Sequence, residues 1–209
     1  MNNSAKRKQT LNVTITAVFT AILLLEAFIP NIGNITIFPG LPTITIIPLT
    51  VAVYACLMGP KAGAGFGLAW GLTSLIRAYA APNSLVTILL FQNPVICLLP
   101  RVLAGYLAGL IILPFKKQAK TDKGLIAGYT LSGLTASIAN TLLVILLSAV
   151  FYWNDPGKLL GALGQSGSSK SLLIVLLTAL GASGTVEALF SGIVTPIVAA
   201  PLSHRLKRR

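Results

Sequence analysis

Six apolar stretches separated by short polar gaps organise this 209-residue chain. A bilayer core about 30 Å thick is crossed by about 20 mostly apolar residues in a helix. On that measure the pattern predicts six spanning helices at roughly 11–29, 43–59, 62–79, 93–115, 124–152 and 172–201. The expected fold class is an all-α membrane protein: six transmembrane helices, structured outer loops, and both termini cytoplasmic. Residues 1–10 are expected as a cytoplasmic N-terminal tail, 11–201 as the six-helix transmembrane domain, and 202–209 as a cytoplasmic basic tail. Lys6, Arg7 and Lys8 imitate the charged start of a signal peptide. Leu11 to Ile29 is too long for its apolar region, however, and no small-residue cleavage site follows. The first stretch is therefore read as a span, ended by Pro30, Asn31, Gly33 and Asn34. The second stretch is short and contains Pro48, so part of it is expected as a broken helix, tolerated where protein or a cavity satisfies the backbone. Met58-Gly59-Pro60-Lys61 makes a tight turn into the third.

The gaps on the two sides differ. Residues 30–42 and 80–92 are apolar enough to fold back onto the protein, while 154–171 are more polar. The gaps on the other side are short or lysine-rich. Elaborate outer loops over plain inner ones point to recognition from outside; the competing reading is simply apolar loops lying at the interface. Gly63, Gly67 and Gly71 repeat every four residues, as do Gly105 and Gly109, a spacing that lets helices approach closely. Ala17 and Ala21 form a similar pair on the first span, with Thr10 and Thr14 nearby.

Charge fixes the orientation. Of sixteen basic residues, twelve lie in alternate gaps: Lys6, Arg7, Lys8, Lys61, Lys116, Lys117, Lys120, Lys123, Arg205, Lys207, Arg208 and Arg209. The opposite gaps hold only Lys158 and Lys170. This is a positive-inside pattern with cytoplasmic termini. The net charge of +12 would suggest nucleic acid in a soluble chain. With 55% hydrophobic and 10% charged residues, and basic clusters that flank apolar spans without interleaved aromatics, contact with anionic lipid explains it and nucleic acid is excluded. Cys56 and Cys97 lie in apolar stretches without metal-ligand spacing and read as structural thiols; no metal site is expected.

Ionisable residues inside a bilayer cost about 2.5–3.5 kcal/mol or more and normally face an interior or cavity. Arg77 and Arg101 are the two basic residues left over, and Glu26 and Glu187 are the acids within spans. The topology places Arg77 and Glu26 near the outer surface, Arg101 about 12 Å deep, Asn140 in the middle or outer half, and Glu187 near the midplane. With Gln92 and Asn93 they converge on the outer half of the bundle, a set suited to a small polar solute carrying an acid and hydroxyl or amide groups. Arginine holds a carboxylate through two parallel hydrogen bonds; Asn and Glu serve hydroxyl and amide donors. Second readings stand beside these: Arg77 snorkelling to headgroups, Arg101 in a structural ion pair with Glu187, Asn140 bonding helix to helix, and Glu26 contacting a loop. The candidate substrate-binding set is Arg77, Asn93, Arg101, Asn140 and Glu187.

Nothing in the chain suggests catalysis. Gly164 to Lys170 imitates a phosphate loop, but Ser169 stands where glycine must precede the lysine. His204 lies in the basic tail, and no nucleophile–base motif is present. A solute binder that borrows its power from partners is expected, with a small intramembrane enzyme or assembly factor as the rival.

Several strings resemble the substrate-binding S component of energy-coupling factor (ECF) vitamin transporters. They are Gly59-Pro60-Lys61-x-Gly63, Ser74-Leu-Ile-Arg77-Ala, Phe91-Gln-Asn-Pro94, Leu99-Pro-Arg101-Val-Leu-x-Gly105 and Asn140-Thr141. The Phe-Gln-Asn-Pro and Leu-Pro-Arg strings are similar to those of pantothenate-type members. The chain departs from many relatives in carrying Gly181-Ala-Ser-Gly184 ahead of Glu187, and Ile44-Thr45-Ile46 ahead of Ile47-Pro48. These departures bear on the cargo, for which a pyrimidine or pyridoxine-like vitamin is the alternative. The resemblance implies capture of a scarce vitamin from outside, without ATPase activity or a cofactor in this chain. It implies association with a membrane-embedded coupling subunit, docked on the Ala17–Ala21 face, and with two cytoplasmic ATPase subunits that use ATP and Mg. It also implies toppling of the whole subunit during transport.

Overall fold

The computed structural model describes residues 3–29, 32–35, 44–82, 84–118, 122–164, 166–167 and 169–207. The described residues form eight helices: α1 (Asn3–Phe28), α2 (Ile47–Met58), α3 (Pro60–Ala80), α4 (Leu85–Phe91), α5 (Pro94–Gln118), α6 (Asp122–Phe151), α7 (Pro156–Ala162) and α8 (Ser169–Lys207). Two short strands, β1 (Asn34–Ile35) and β2 (Ile44–Thr45), pair antiparallel with Asn34 opposite Thr45. Among the described residues, four helices are long and apolar enough to cross a membrane: Lys6–Phe28, Pro94–Lys117, Asp122–Phe151 and Ser171–Leu206. Ile47–Met58 is apolar but shorter.

The second predicted span is the one the structure redraws. Its first residues form β2, and the helix starts only at Ile47, with Pro48 in the first turn. Proline is tolerated there, because the N–H it lacks has no helical partner in that position. Pro48 therefore starts the helix and does not break it. The resulting 12 residues extend about 18 Å, well short of a bilayer core. The helix is central: it packs on α1, α3, α5, α6 and α8, and every residue from Ile47 to Cys56 is buried.

Around α2, the tightest pairs are α3 with α5, α5 with α6, and α6 with α8. The α2–α3 turn needs Gly59, whose φ of +92° is a conformation L side chains rarely adopt. The glycine spacing then works as read: Gly105 packs on the carbonyl of Gly63, and Gly67 on the carbonyl of Arg101, leaving no room for a Cβ. Gly67→Ala is expected to lower stability by about 1–3 kcal/mol through overpacking, seen as an earlier unfolding midpoint in detergent. An unchanged midpoint would show that α3 and α5 can part at no cost.

Helix α1 is held on one side only. Phe19 meets Tyr54 of α2 and Phe66 of α3 at ring-centroid distances of 5.5 and 6.3 Å, and Thr16 shares a 2.9 Å hydrogen bond with the Tyr54 hydroxyl. A second apolar cluster gathers Leu90 of α4 and Leu159 and Leu160 of α7 with Ile96, Val144, Ile145, Leu172 and Leu176. The segment 80–92 thus folds back as its apolarity predicts. The segment 154–171, read as more polar, is also anchored: Leu159 and Leu160 are fully buried, while Asp155 and Lys158 form an exposed ion pair at 3.0 Å. The fold-back expected of residues 30–42 falls largely outside the described residues, and Lys120, Arg208 and Arg209 lie outside them too.

Candidate functional site

A cavity of about 280 Å³ opens where α1 and α3 end and α5 begins, away from the basic ends of the helices. Its size is near the lower end for small-molecule sites, about 300–1,000 Å³. Four of the five sequence-predicted residues line it: Arg77 from α3, Arg101 from α5, Asn140 from α6 and Glu187 from α8.

Arg101 is set in place by the residue before it. Pro100 lies inside α5 and cannot donate to the carbonyl one turn back, that of Ile96. The Arg101 guanidinium folds back and supplies the missing donor, Nη1 to the Ile96 oxygen at 3.0 Å. Two aromatic faces flank the cation, Phe91 at 4.6 Å and Trp70 at 5.3 Å from ring centroid to Cζ. Such faces attract a cation and keep water from it. The side chain is only 5% exposed, yet its Nε has no hydrogen-bond partner. The Leu-Pro-Arg string is thus a local device that holds a buried guanidinium at the cavity wall with donor capacity unspent.

Asn140 presents the complementary feature: its buried Oδ1 has no donor. Buried polar groups without partners each cost about 1–3 kcal/mol, so a cavity carrying one unspent donor and one unspent acceptor is built for a polar occupant. Arg77 gives Nη1 to the carbonyl of Ala27 at 3.2 Å, tying the end of α1 to the cavity rim. The structural ion pair offered as a rival role for Arg101 is not formed: among the described residues no salt bridge joins Arg101 to Glu187, and Lys158 pairs with Asp155. Glu187 instead accepts from the backbone N–H of Thr45 at 2.9 Å.

Asn93 is the candidate that the structure does not bring into the cavity. Its Oδ1 accepts from the N–H of Val95 at 3.0 Å, so it caps the N-terminus of α5 directly before Pro94. Gln92 donates to the carbonyl of Ala78 at 3.0 Å and pins α4 to α3. Glu26 lies outside the lining; its Oε1 accepts from the Thr50 hydroxyl of α2 at 2.7 Å, and Gly33 packs on its backbone atoms. Sequence reasoning missed Trp70, Thr73 and Ser74. All three share the helical face of Arg77 at spacings of three, four and seven residues, a signal the sequence carried.

Comparison with known proteins places this geometry in a family. Residues 11–199 match the family model described as "ECF transporter, substrate-specific component". The chain is 36% identical over 146 residues to the pantothenate transporter PanT of Leuconostoc mesenteroides subsp. mesenteroides, covering 68% of this chain and 70% of the relative. It is 27% identical over 191 residues to the pantothenic acid transporter PanT of Lactococcus lactis subsp. cremoris, covering 82% of this chain and 91% of the relative. With its long apolar helices and its polar cavity, the chain belongs to the substrate-specific components of ECF transporters, multi-pass proteins of the bacterial membrane.

Proposed function

We infer that this chain captures pantothenate from outside the cell as the binding subunit of an ATP-driven importer. The observation that carries this reading is the pair of unspent groups on one cavity wall system, the buried Arg101 Nε and the buried Asn140 Oδ1. Pantothenate offers a carboxylate to the arginine and hydroxyl and amide donors to the asparagine. The names of the two relatives support the same cargo. Arg101 takes the carboxylate, Arg77 adds positive potential at the rim, and Asn140 accepts from the remainder of the molecule.

The charge asymmetry supports six crossings with cytoplasmic termini, α2 and α3 making the two that length and apolarity alone leave open. That orientation puts the cavity toward the exterior. Energy comes from partners: a membrane-embedded coupling subunit meets the exposed Ala17–Ala21 face of α1, and two cytoplasmic ATPase subunits use ATP and Mg. The test is a calorimetric titration of the purified protein with pantothenate. Saturable binding at micromolar ligand is expected; the absence of heat or of any Trp70 fluorescence change would remove pantothenate as cargo.

A further inference from the structure

Glu187 lines the cavity, yet the Thr45 backbone N–H donates to its Oε1 at 2.9 Å, and the Thr45 hydroxyl bonds the same carboxylate. The partners are 142 positions apart in the chain. Thr45 and Ile47 themselves form part of the cavity wall. Between them, Ile46 donates its N–H to the carbonyl of Gly33 at 2.9 Å, and Gly33 rests on the backbone of Glu26. This wall is therefore held from two sides, by backbone packing against α1 and by one side chain reaching from α8.

The intrinsic hold on that stretch is weak. A two-residue strand pair contributes little stability on its own, and α2 begins without a side-chain cap. A carboxylate accepting two hydrogen bonds in a poorly hydrated site is a strong tether. Its removal leaves the Thr45 N–H without its acceptor at the cavity edge.

We propose that Glu187 is a positioning residue: it pins β2 as a wall of the cavity and thereby sets how fast a bound solute leaves. Arg101 and Asn140 determine what binds, and Glu187 determines how long it stays. The inference rests on the reading of this cavity as the solute site.

The experiment compares wild type, Glu187→Ala, Glu187→Gln, Thr45→Pro and the double variant Glu187→Ala/Thr45→Pro as full chains in nanodiscs. Amide hydrogen exchange at the segment containing Thr45 is followed without ligand, and pantothenate association and dissociation rates by stopped-flow fluorescence. Glu187→Ala is expected to speed exchange at Thr45 and Ile46 about tenfold and dissociation by about tenfold, with association little changed. Glu187→Gln, whose amide oxygen can still accept, recovers most of the lost protection. Thr45→Pro, which removes both donors, reproduces the dissociation rate of Glu187→Ala, and the double variant is no faster. Unchanged exchange at Ile46 in ligand-free Glu187→Ala would overturn the proposal, as would additive effects of the two substitutions. Should wild type fail to bind pantothenate, the cargo is wrong, and the ligand-free exchange still decides the role of Glu187.

Discussion

Arg101→Ala weakens pantothenate binding by about 2–5 kcal/mol, or about 30-fold to several thousandfold. The size of the effect follows from the surroundings. Arg101 is nearly fully buried, and Phe91 and Trp70 lie within 4.6 and 5.3 Å of its cation, so an anion placed there is poorly screened. Loss of the guanidinium also frees the Ile96 carbonyl that Pro100 cannot serve, so the unfolding midpoint must be measured beside the affinity. Arg101→Lys separates charge from shape. It keeps the cation, loses the planar fork, and is expected to fall between wild type and alanine. A folded Arg101→Ala protein that binds pantothenate within about threefold of wild type, a difference too small for a lost ion pair, would show the carboxylate to be held elsewhere.

The second large effect lies on the opposite side of α1. The helix buries Phe19, Leu23, Glu26 and Ala27 against the bundle and leaves Val13, Ala17, Val18, Ala21, Leu24 and Leu25 exposed. The buried and exposed positions recur at helical spacing, so α1 has one packed and one open face. Small residues in the middle of the open face allow another helix to approach closely. Ala17→Trp or Ala21→Trp is expected to reduce pantothenate uptake by about tenfold or more in vesicles containing the coupling and ATPase subunits, because bulk separates packed helices. Pantothenate binding by the isolated subunit should be unaffected, since the nearest cavity-lining residue of α1 is Ala27, nearly two turns beyond Ala21. Undiminished uptake by both variants would place the docking surface on another helix.

What could be read from the chain, and what could not, divides along a physical line. Arg101, Asn140 and Glu187 stood out because a charge or amide in an apolar run is costly anywhere but a cavity. That logic needs only depth, and it located three of the lining residues. It failed at Asn93, where the same amide has a local use: Asn followed by Pro is a helix start, and Asn93 caps α5. Trp70 and Phe91 come to Arg101 from two other helices, so their role depends on packing that no single stretch encodes. The short β1–β2 pairing, across residues 36–43, is likewise non-local and displaced the expected start of the second span. Leu159 and Leu160 were hidden by their polar neighbours; two residues are too few to carry a period, yet they anchor α7 in the core.

Competition between pantothenate and its carboxylate-free alcohol analogue, measured by calorimetry on the wild-type protein and on Arg101→Ala, bears most directly on carboxylate capture by the buried guanidinium. Wild type should prefer pantothenate by about 30-fold or more, and the preference should largely vanish in Arg101→Ala. Equal affinity of wild type for the two ligands would mean that Arg101 does not read an acid, and that this cavity was shaped for a different cargo.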